Sequence, residues 1–434
     1  MKRQHVAILT LMGNGHLYPV LPLCTELADR GYRVSCPVSP RYAGSVQASG
    51  AEAVVFTEPP VDDALRSENE ARSRLATSDP SRLETSDLEW SYMTRSMEYF
   101  LSQVTEFYDQ DPPDLVLYNR YVIAGRILAN RYGSLAVQFS PHFAYPGRTR
   151  LWRQGEGQNP DELVAYGRML DSLLASHDIR TRDNLWHVER LNIHFIPREF
   201  QYRADLFDDR FFFSGSLLDR PYKSLWHRAT DRKPIVLISG YSGLAETKSS
   251  NSGYFKLFIE ALADLPCRCV MSIGDSVAET LGPLPKNFEL NRDASHLEIL
   301  PHASLLACHG GMGSCLEALY NGVPVLVVPS SPYTEEVAYR VTQLGGGISR
   351  SRNELSADTI RSAVSKMLRD GPLHERARAL RRVFQRSGGV TAIAHRIDRF
   401  LRESQQVGAT NAPAERTDLH SGALASAFVV GEAG

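Results

Sequence analysis

Leu305-Leu-Ala-Cys-His309-Gly310-Gly311-Met312-Gly313-Ser314-Cys315-Leu316-Glu317-Ala318-Leu319 reads as a strand, a His-Gly turn and a helix in unbroken succession. Small residues at such a turn let a phosphate approach the backbone, while the free N–H groups and the dipole of the following helix stabilise its charge. His309 can add a side-chain donor to the same phosphate. Glu317 lies one helical turn beyond Gly313, which brings its carboxylate within reach of the hydroxyls of a ribose attached to that diphosphate. Glycines at a strand-helix junction also serve tight packing, but the order His-Gly-Gly-Met-Gly-Ser-x-x-Glu is far more specific than a lone Gly-x-Gly.

Outward from this segment the pattern repeats. Ile235 to Ser239, Cys269 to Ile273, Phe288 to Leu290 and Val325 to Val328 are buried-strand runs separated by helical spacing, with helices at Ala357 to Leu368 and Leu373 to Gln385. In the first half, Val6 to Leu11, Tyr32 to Pro37, Ala53 to Phe56, Asp114 to Tyr118, Leu135 to Phe139 and Ile193 to Pro197 are the strands. Helices are expected at Pro19 to Arg30, Tyr42 to Ser49, Leu88 to Tyr108 and Val122 to Arg131. Alternating strands and helices mean parallel sheets, so the expected fold is α/β, two Rossmann-like doubly wound domains facing a cleft. The expected boundaries are an N-terminal domain over 1–218, a linker over 219–233 and a C-terminal domain over 234–390. A helix over 391–404 that packs back on the N-terminal domain and a flexible tail over 405–434 complete the chain.

A length of 434 residues suits two sizeable domains. Hydrophobic residues at 43% and charged residues at 23% match soluble globular proteins, and no run reaches the ~18 apolar residues of a membrane span. A formal net charge of -2 leaves no basic excess for nucleic acid or anionic lipid. The six cysteines, Cys24, Cys36, Cys267, Cys269, Cys308 and Cys315, are too sparse for a disulfide scaffold and read as reduced thiols of a cytoplasmic protein. Cys267-Arg-Cys269 has no nearby His or Cys to complete a zinc site, so no metal is expected.

The donor-loop segment, with the following Gly322-Val-Pro324-Val-Leu-Val-Val-Pro329, resembles the signature of family 1 glycosyltransferases of the macrolide type, the branch that glycosylates natural products. The similarity extends to Gly15-His16-Leu-Tyr-Pro19, Ser140-Pro141, Asn287-Phe-Glu-Leu290 and Leu344-Gly345, and covers roughly residues 5–403. It implies the GT-B fold, a nucleotide-sugar donor on the C-terminal domain, an acceptor on the N-terminal one and metal-free inversion at the anomeric carbon. No cofactor is implied beyond the nucleotide-sugar co-substrate. By position His309, Gly311, Gly313 and Ser314 would hold the diphosphate and Glu317 the ribose. Ser239 and Ser242, after the first strand of the second half, would approach the diphosphate as well.

Three departures from that family pattern stand out. Relatives carry His-Gly-His after the first strand, and its first histidine removes the acceptor's proton with help from an aspartate after a later strand. Here Asn14 and, by position, Asn119 occupy those places. An amide accepts no proton near neutral pH, and loss of a general base removes roughly 10²–10⁴ in rate for an alcohol. Either His16 is the base, or the acceptor is a competent nucleophile such as a carboxylate, phenolate or nitrogen, or the chain does not catalyse transfer. Second, Ser330-Ser-Pro-Tyr333-Thr334-Glu335-Glu336 replaces the usual acidic residue and Gln that grip sugar hydroxyls, with Tyr333 and Thr334 as the contacts at that place. A phenol there hints at a deoxygenated or modified sugar. Third, a base-stacking Trp is replaced around Asp293 to His296, leaving uracil and thymine both open.

An aromatic surface formed by Trp90, Met93 and Met97 on one helix, and by His142 and Phe143 after Ser140-Pro141, suits a small hydrophobic or aromatic acceptor. The sequence thus points to an inverting glycosyltransferase, monomeric or homodimeric. A catalytically silent nucleotide-sugar-binding auxiliary protein is the alternative motivated by Asn14 and Asn119, and a nucleotide-sugar epimerase is a third.

Overall fold

The computed structural model describes residues 3–57, 87–145, 160–180, 187–218, 233–240, 248–291 and 296–410. Two compact units make up the chain, Met1–Ala394 and His395–Gly434. Both sheets belong to the larger unit. Strands β1 (His5–Leu9), β2 (Arg33–Val38), β3 (Glu52–Val55), β4 (Leu115–Asn119), β5 (Leu135–Ser140), β6 (Asn192–His194) and β7 (Phe211–Phe213) form a seven-stranded sheet in the order β3-β2-β1-β4-β5-β6-β7. Strands β8 (Ile235–Ser239), β9 (Arg268–Ser272), β10 (Phe288–Asn291), β11 (Leu305–Cys308), β12 (Val325–Val327) and β13 (Gly347–Ser349) form a six-stranded sheet in the order β10-β9-β8-β11-β12-β13.

Every pairing in both sheets is parallel. Parallel strands are covered on both faces by the helices that connect them, and this explains why β1, β4, β8 and β11 are mostly apolar and buried at every residue. In each sheet the strand order reverses once, between β1 and β4 and between β8 and β11. The carboxyl ends of the strands flanking such a reversal open onto a crevice, because the chain leaves them in opposite directions.

Three features differ from the sequence reading. β7 and β13, three residues each, were not anticipated. Asn14-Gly15-His16, read as a turn, already belongs to a short helix, Asn14–Leu17. The C-terminal helix runs over Gly389–Thr410, past the expected start of the tail at 405. The expected linker lies outside the described residues except for Lys233.

One hydrophobic cluster joins the two sheets. Phe143, Phe200, Tyr202 and Phe213 from the first half pack with Leu237, Leu306, Leu316, Val337 and Phe384 from the second. Arg340, on the helix Pro332–Gln343, pins this junction by donating to three backbone carbonyls, Glu199 at 2.6 Å, Phe200 at 2.9 Å and Gln201 at 3.2 Å. Its guanidinium also lies 5.0 Å from the Tyr202 ring centroid, and the Tyr202 hydroxyl donates to the Glu336 carbonyl at 2.9 Å.

Candidate functional site

The first-sheet reversal brings together the segment after β1 and the end of β4. Asn119 is the last residue of β4 and is fully buried. Its Oδ1 accepts from the Tyr121 backbone N–H at 3.1 Å, while its Nδ2 is buried with no hydrogen-bond partner among the described residues. His16, in the helix after β1, sets its ring 5.6 Å from that of His142 in a T-shaped contact, and Tyr121 meets His142 edge-on at 5.8 Å. His194, the last residue of β6, donates from Nδ1 to the His142 carbonyl at 2.9 Å, since a carbonyl can only accept.

Burial dominates the electrostatics of these imidazoles. It pushes His142 down to about 3, helped by the positive charges of His16, Arg120 and His194. His194 falls to about 4 by burial, against the upward pull of its bond to the His142 carbonyl, and Arg120 depresses it further. Burial lowers His16 too. All three are neutral at physiological pH. Among the described residues the His16 Nδ1 atom has no hydrogen-bond partner, so nothing there is placed to hold an imidazolium.

At the second-sheet reversal, Ser239 at the end of β8 lies in register with Cys308 at the end of β11, immediately before His309. The helix Met312–Asn321 begins after Gly311, and its first intrahelical bond runs from the Cys315 N–H to the Gly311 carbonyl at 3.1 Å. The amides of Met312, Gly313 and Ser314 therefore precede the helical ladder. Gly310 is sterically required, and Gly311 lies against the end of the His309 side chain. Gly310 has φ +92° and a Cβ on it would lie 2.9 Å from the Thr334 carbonyl, while a Cβ on Gly311 would lie 2.9 Å from His309 Nε2. Gly313 differs: a Cβ there would meet nothing within 4 Å. No contact of the described chain explains its small size.

The structure relates the expected contacts unevenly. His142, expected on the acceptor side, and Tyr333, expected on the donor side, hydrogen-bond to each other at 2.5 Å, so the two sets meet. Glu317 sits 3.5 Å from His296 Nδ1, giving the expected ribose carboxylate an imidazole neighbour. Thr334 has a structural role at that place: its hydroxyl accepts from the Ser330 and Ser331 amides at 2.9 Å and completes a capping box with Ser331, so it organises the helix start. Phe143 is a correction. It is fully buried, stacked on Phe200 at 5.6 Å, and belongs to the core. Met97 packs against the core of the first sheet. The side chains of Trp90, Met93 and Asn14, and the whole of Ser242, lie outside the described residues. Glu336 is buried and accepts from the Tyr145 hydroxyl at 2.7 Å, while Glu335 is exposed in the first turn of its helix.

Sequence reasoning missed Arg120 and Tyr121. The Arg120 guanidinium lies 5.8 Å from the Tyr121 ring centroid, and its charge acts on His142, His194 and Tyr145. Tyr121 is 44% exposed. Both directly follow a buried strand that ends at a reversal of strand order, a position that only the order of strands in the sheet reveals. Among the described residues no group of three or more His, Cys, Asp or Glu is arranged to hold a metal, and no helix is long and apolar enough to cross a membrane.

Residues 256–414 match the family described as erythromycin biosynthesis protein CIII-like, C-terminal domain. The chain is 28% identical over 409 residues to NDP-glycosyltransferase YjiC of Bacillus subtilis (strain 168), covering 93% of this chain and 99% of that protein. It is 28% identical over 414 residues to demethyllactenocin mycarosyltransferase of Streptomyces fradiae, covering 92% and 86%. The solved structure of CalG4, the calicheamicin glycosyltransferase, superposes with a TM-score of 0.74 at 30% identity, covering 93% of this chain and all of that one. Spanning both sheets and the loops at their reversals, this likeness places the chain in the family 1 glycosyltransferases of the macrolide and natural-product type, with the GT-B fold.

Proposed function

We propose that this glycosyltransferase moves a sugar from a uridine or thymidine diphosphate donor to a small hydrophobic natural product, with inversion at the anomeric carbon. The observation that carries this reading is the start of helix Met312–Asn321, where three amides precede the helical ladder and a Cβ on Gly313 would meet open space. Charge grows on the departing diphosphate as the anomeric bond breaks. Aligned amides and a helix N-terminus stabilise that charge without reorganising, and the diphosphate needs no bridging cation. Ser239, Gly311, Ser314 and Glu317 complete the donor set in this reading, and Tyr333 lines the sugar. His16, with Asn14 and Asn119, lies on the acceptor side and orients the nucleophile. All six cysteines are free and buried, which suits a reducing cytoplasm.

Calorimetric titration of uridine and thymidine diphosphates into the wild type and into His309→Ala tests the donor assignment. One of the two should bind the wild type in the micromolar range and lose at least tenfold in affinity in the variant, with thermal melting unchanged. Binding of neither diphosphate would sink the reading. Binding without transfer to any acceptor would favour the silent auxiliary protein, and donor turnover with no acceptor present would favour the epimerase.

A further inference from the structure

Resting on the transferase reading, we propose that the acceptor presents a carboxylate, borne on an aromatic ring, to Arg120 and Asn119, and that the product is a sugar ester. Three observations converge on an anion at this end of the molecule. The amide of Asn119 is oriented by the bond from the Tyr121 N–H to its Oδ1, and this leaves the buried Nδ2 with donors and no partner among the described residues. A buried donor left unmade is costly, and what satisfies it is an acceptor. An aspartate at this position would offer only lone pairs and a like charge. The amide turns the same place from one that repels a carboxylate into one that donates to it.

Arg120 supplies the charge. It is half-buried, and among the described residues its guanidinium lies over the Tyr121 ring and makes no ion pair. The groups its charge reaches are two imidazoles held neutral by burial, His142 and His194, and the Tyr145 phenol. Glu336, the carboxylate of this cluster, is bonded to Tyr145 instead. A guanidinium presents two parallel N–H donors that match the two oxygens of a carboxylate, a match that a hydroxyl lacks. The half-exposed ring of Tyr121, stacked near Arg120, offers the flat face against which an aromatic acid lies.

Protonation completes the argument. His16 is neutral, with a buried Nδ1 that has no partner to support an imidazolium, and the usual base positions hold amides. A carboxylic acid with an ordinary value near 4 arrives already ionised at neutral pH and has no proton to lose. One carboxylate oxygen attacks the anomeric carbon. The bond from that carbon to the diphosphate oxygen breaks with its electron pair, and the nucleoside diphosphate leaves as the anion. No proton, oxidant or metal enters the balance.

Full-length protein saturated with the diphosphate that it binds is titrated with naphthalene-2-carboxylate and with 2-naphthylmethanol, which share a ring and differ in charge. The acid should bind at least tenfold more tightly than the alcohol. Arg120→Gln should weaken the acid about 10- to 100-fold and the alcohol less than twofold, with Arg120→Lys intermediate and Asn119→Asp weakening the acid alone. Melting curves show which variants remain folded, and the lysine variant keeps the test open if the glutamine variant does not. Incubated with uridine and thymidine diphosphoglucose, the acid should give a product that hydroxylamine converts to a hydroxamate. Equal binding of both probes, binding of neither, or equal losses for both in Arg120→Gln would overturn the proposal while leaving diphosphate binding, and with it the transferase reading, intact. Failure of diphosphate binding would instead remove the reading beneath it.

Discussion

The two strand-order reversals do the same topological job with different chemistry. At β8 and β11 the working groups are backbone amides at a helix start, exposed by glycines and framed by one histidine. Around β1 and β4 they are side chains: the Asn119 amide, a guanidinium, a phenol and the neutral imidazoles of His16, of His142 after β5 and of His194 at the end of β6. Backbone donors suit a ligand part that is always a diphosphate, because their geometry comes with the fold. Side chains suit an acceptor that differs from one relative to the next, because they can be exchanged without disturbing a strand or a helix. The second end is where this chain departs from the family pattern, with Asn14 and Asn119 at the places of the histidine and the aspartate, and on the proposed reading it is where acceptor choice is made.

The sharpest way to break the comparison is to rebuild the family's base at the variable end. Asn14→His with Asn119→Asp should raise turnover of neutral alcohol acceptors by roughly 10²–10⁴, the usual worth of a general base, while reducing transfer to carboxylates. Steady-state rates with a matched acid and alcohol measure both effects, and an unchanged acid-to-alcohol ratio would show that the amides do not set acceptor class. At the other end the two kinds of glycine should separate. Gly310→Ala places a Cβ at φ +92° and 2.9 Å from the Thr334 carbonyl, so the fold should lose about 1–3 kcal/mol and melt earlier. Gly313→Ala meets nothing within 4 Å and should melt as the wild type does, yet bind the diphosphate roughly tenfold more weakly because its methyl group occupies the phosphate's approach. A Gly313 variant with unaltered diphosphate affinity would remove the phosphate from that place.

Legibility in the sequence follows the same division. The strand, turn and helix of residues 305–321 were readable because the turn makes a demand on the backbone: Gly310 sits at φ +92° against the Thr334 carbonyl, where a side chain is strained. The parallel sheets were readable because strands buried on both faces are mostly apolar runs. Arg120 and Tyr121 were not, since one arginine and one tyrosine after a strand look like any loop, and only the order of strands in the sheet shows that this strand ends at a reversal. Phe143 was misplaced because the core between the two sheets is an aromatic cluster, and aromatic residues after Ser140-Pro141 look the same whether they line a pocket or fill that core. The cap formed by Thr334 was concealed by its neighbour: the expected sugar contact at Tyr333 drew the next residue into the same role.

The junction between the sheets gives an intermediate effect. Arg340 holds three carbonyls of the first half from a helix of the second, and Arg340→Ala leaves those acceptors without that donor. A loss of about 1–3 kcal/mol in chemical denaturation is expected, with little recovery in Arg340→Lys, whose single ammonium cannot reproduce the fork. Both ends of the site should suffer together, because the same helix carries Tyr333, which bonds to His142.

The smallest effect separates the two ends by acidity. Backbone amides do not titrate, but His142 and His194 must take up protons when the protein unfolds below their ordinary value near 6.5. Their folded values are depressed, to about 3 and about 4, by burial first and by the Arg120 charge among the later causes. The unfolded chain therefore binds more protons than the native one as the pH falls below about 6.5. The stability these groups contribute is fully present above that point and is lost progressively down through their folded values. Urea midpoints at pH 7.5 and pH 5 should fall more for the wild type than for His194→Gln, whose amide can still donate to the His142 carbonyl but carries no titrating group. Removing the Arg120 charge should let both imidazoles protonate at higher pH and shrink the same difference. Equal slopes in all three proteins would mean that the imidazoles open to water at low cost, and the acceptor end would then be as insensitive to acid as the amides of the donor loop.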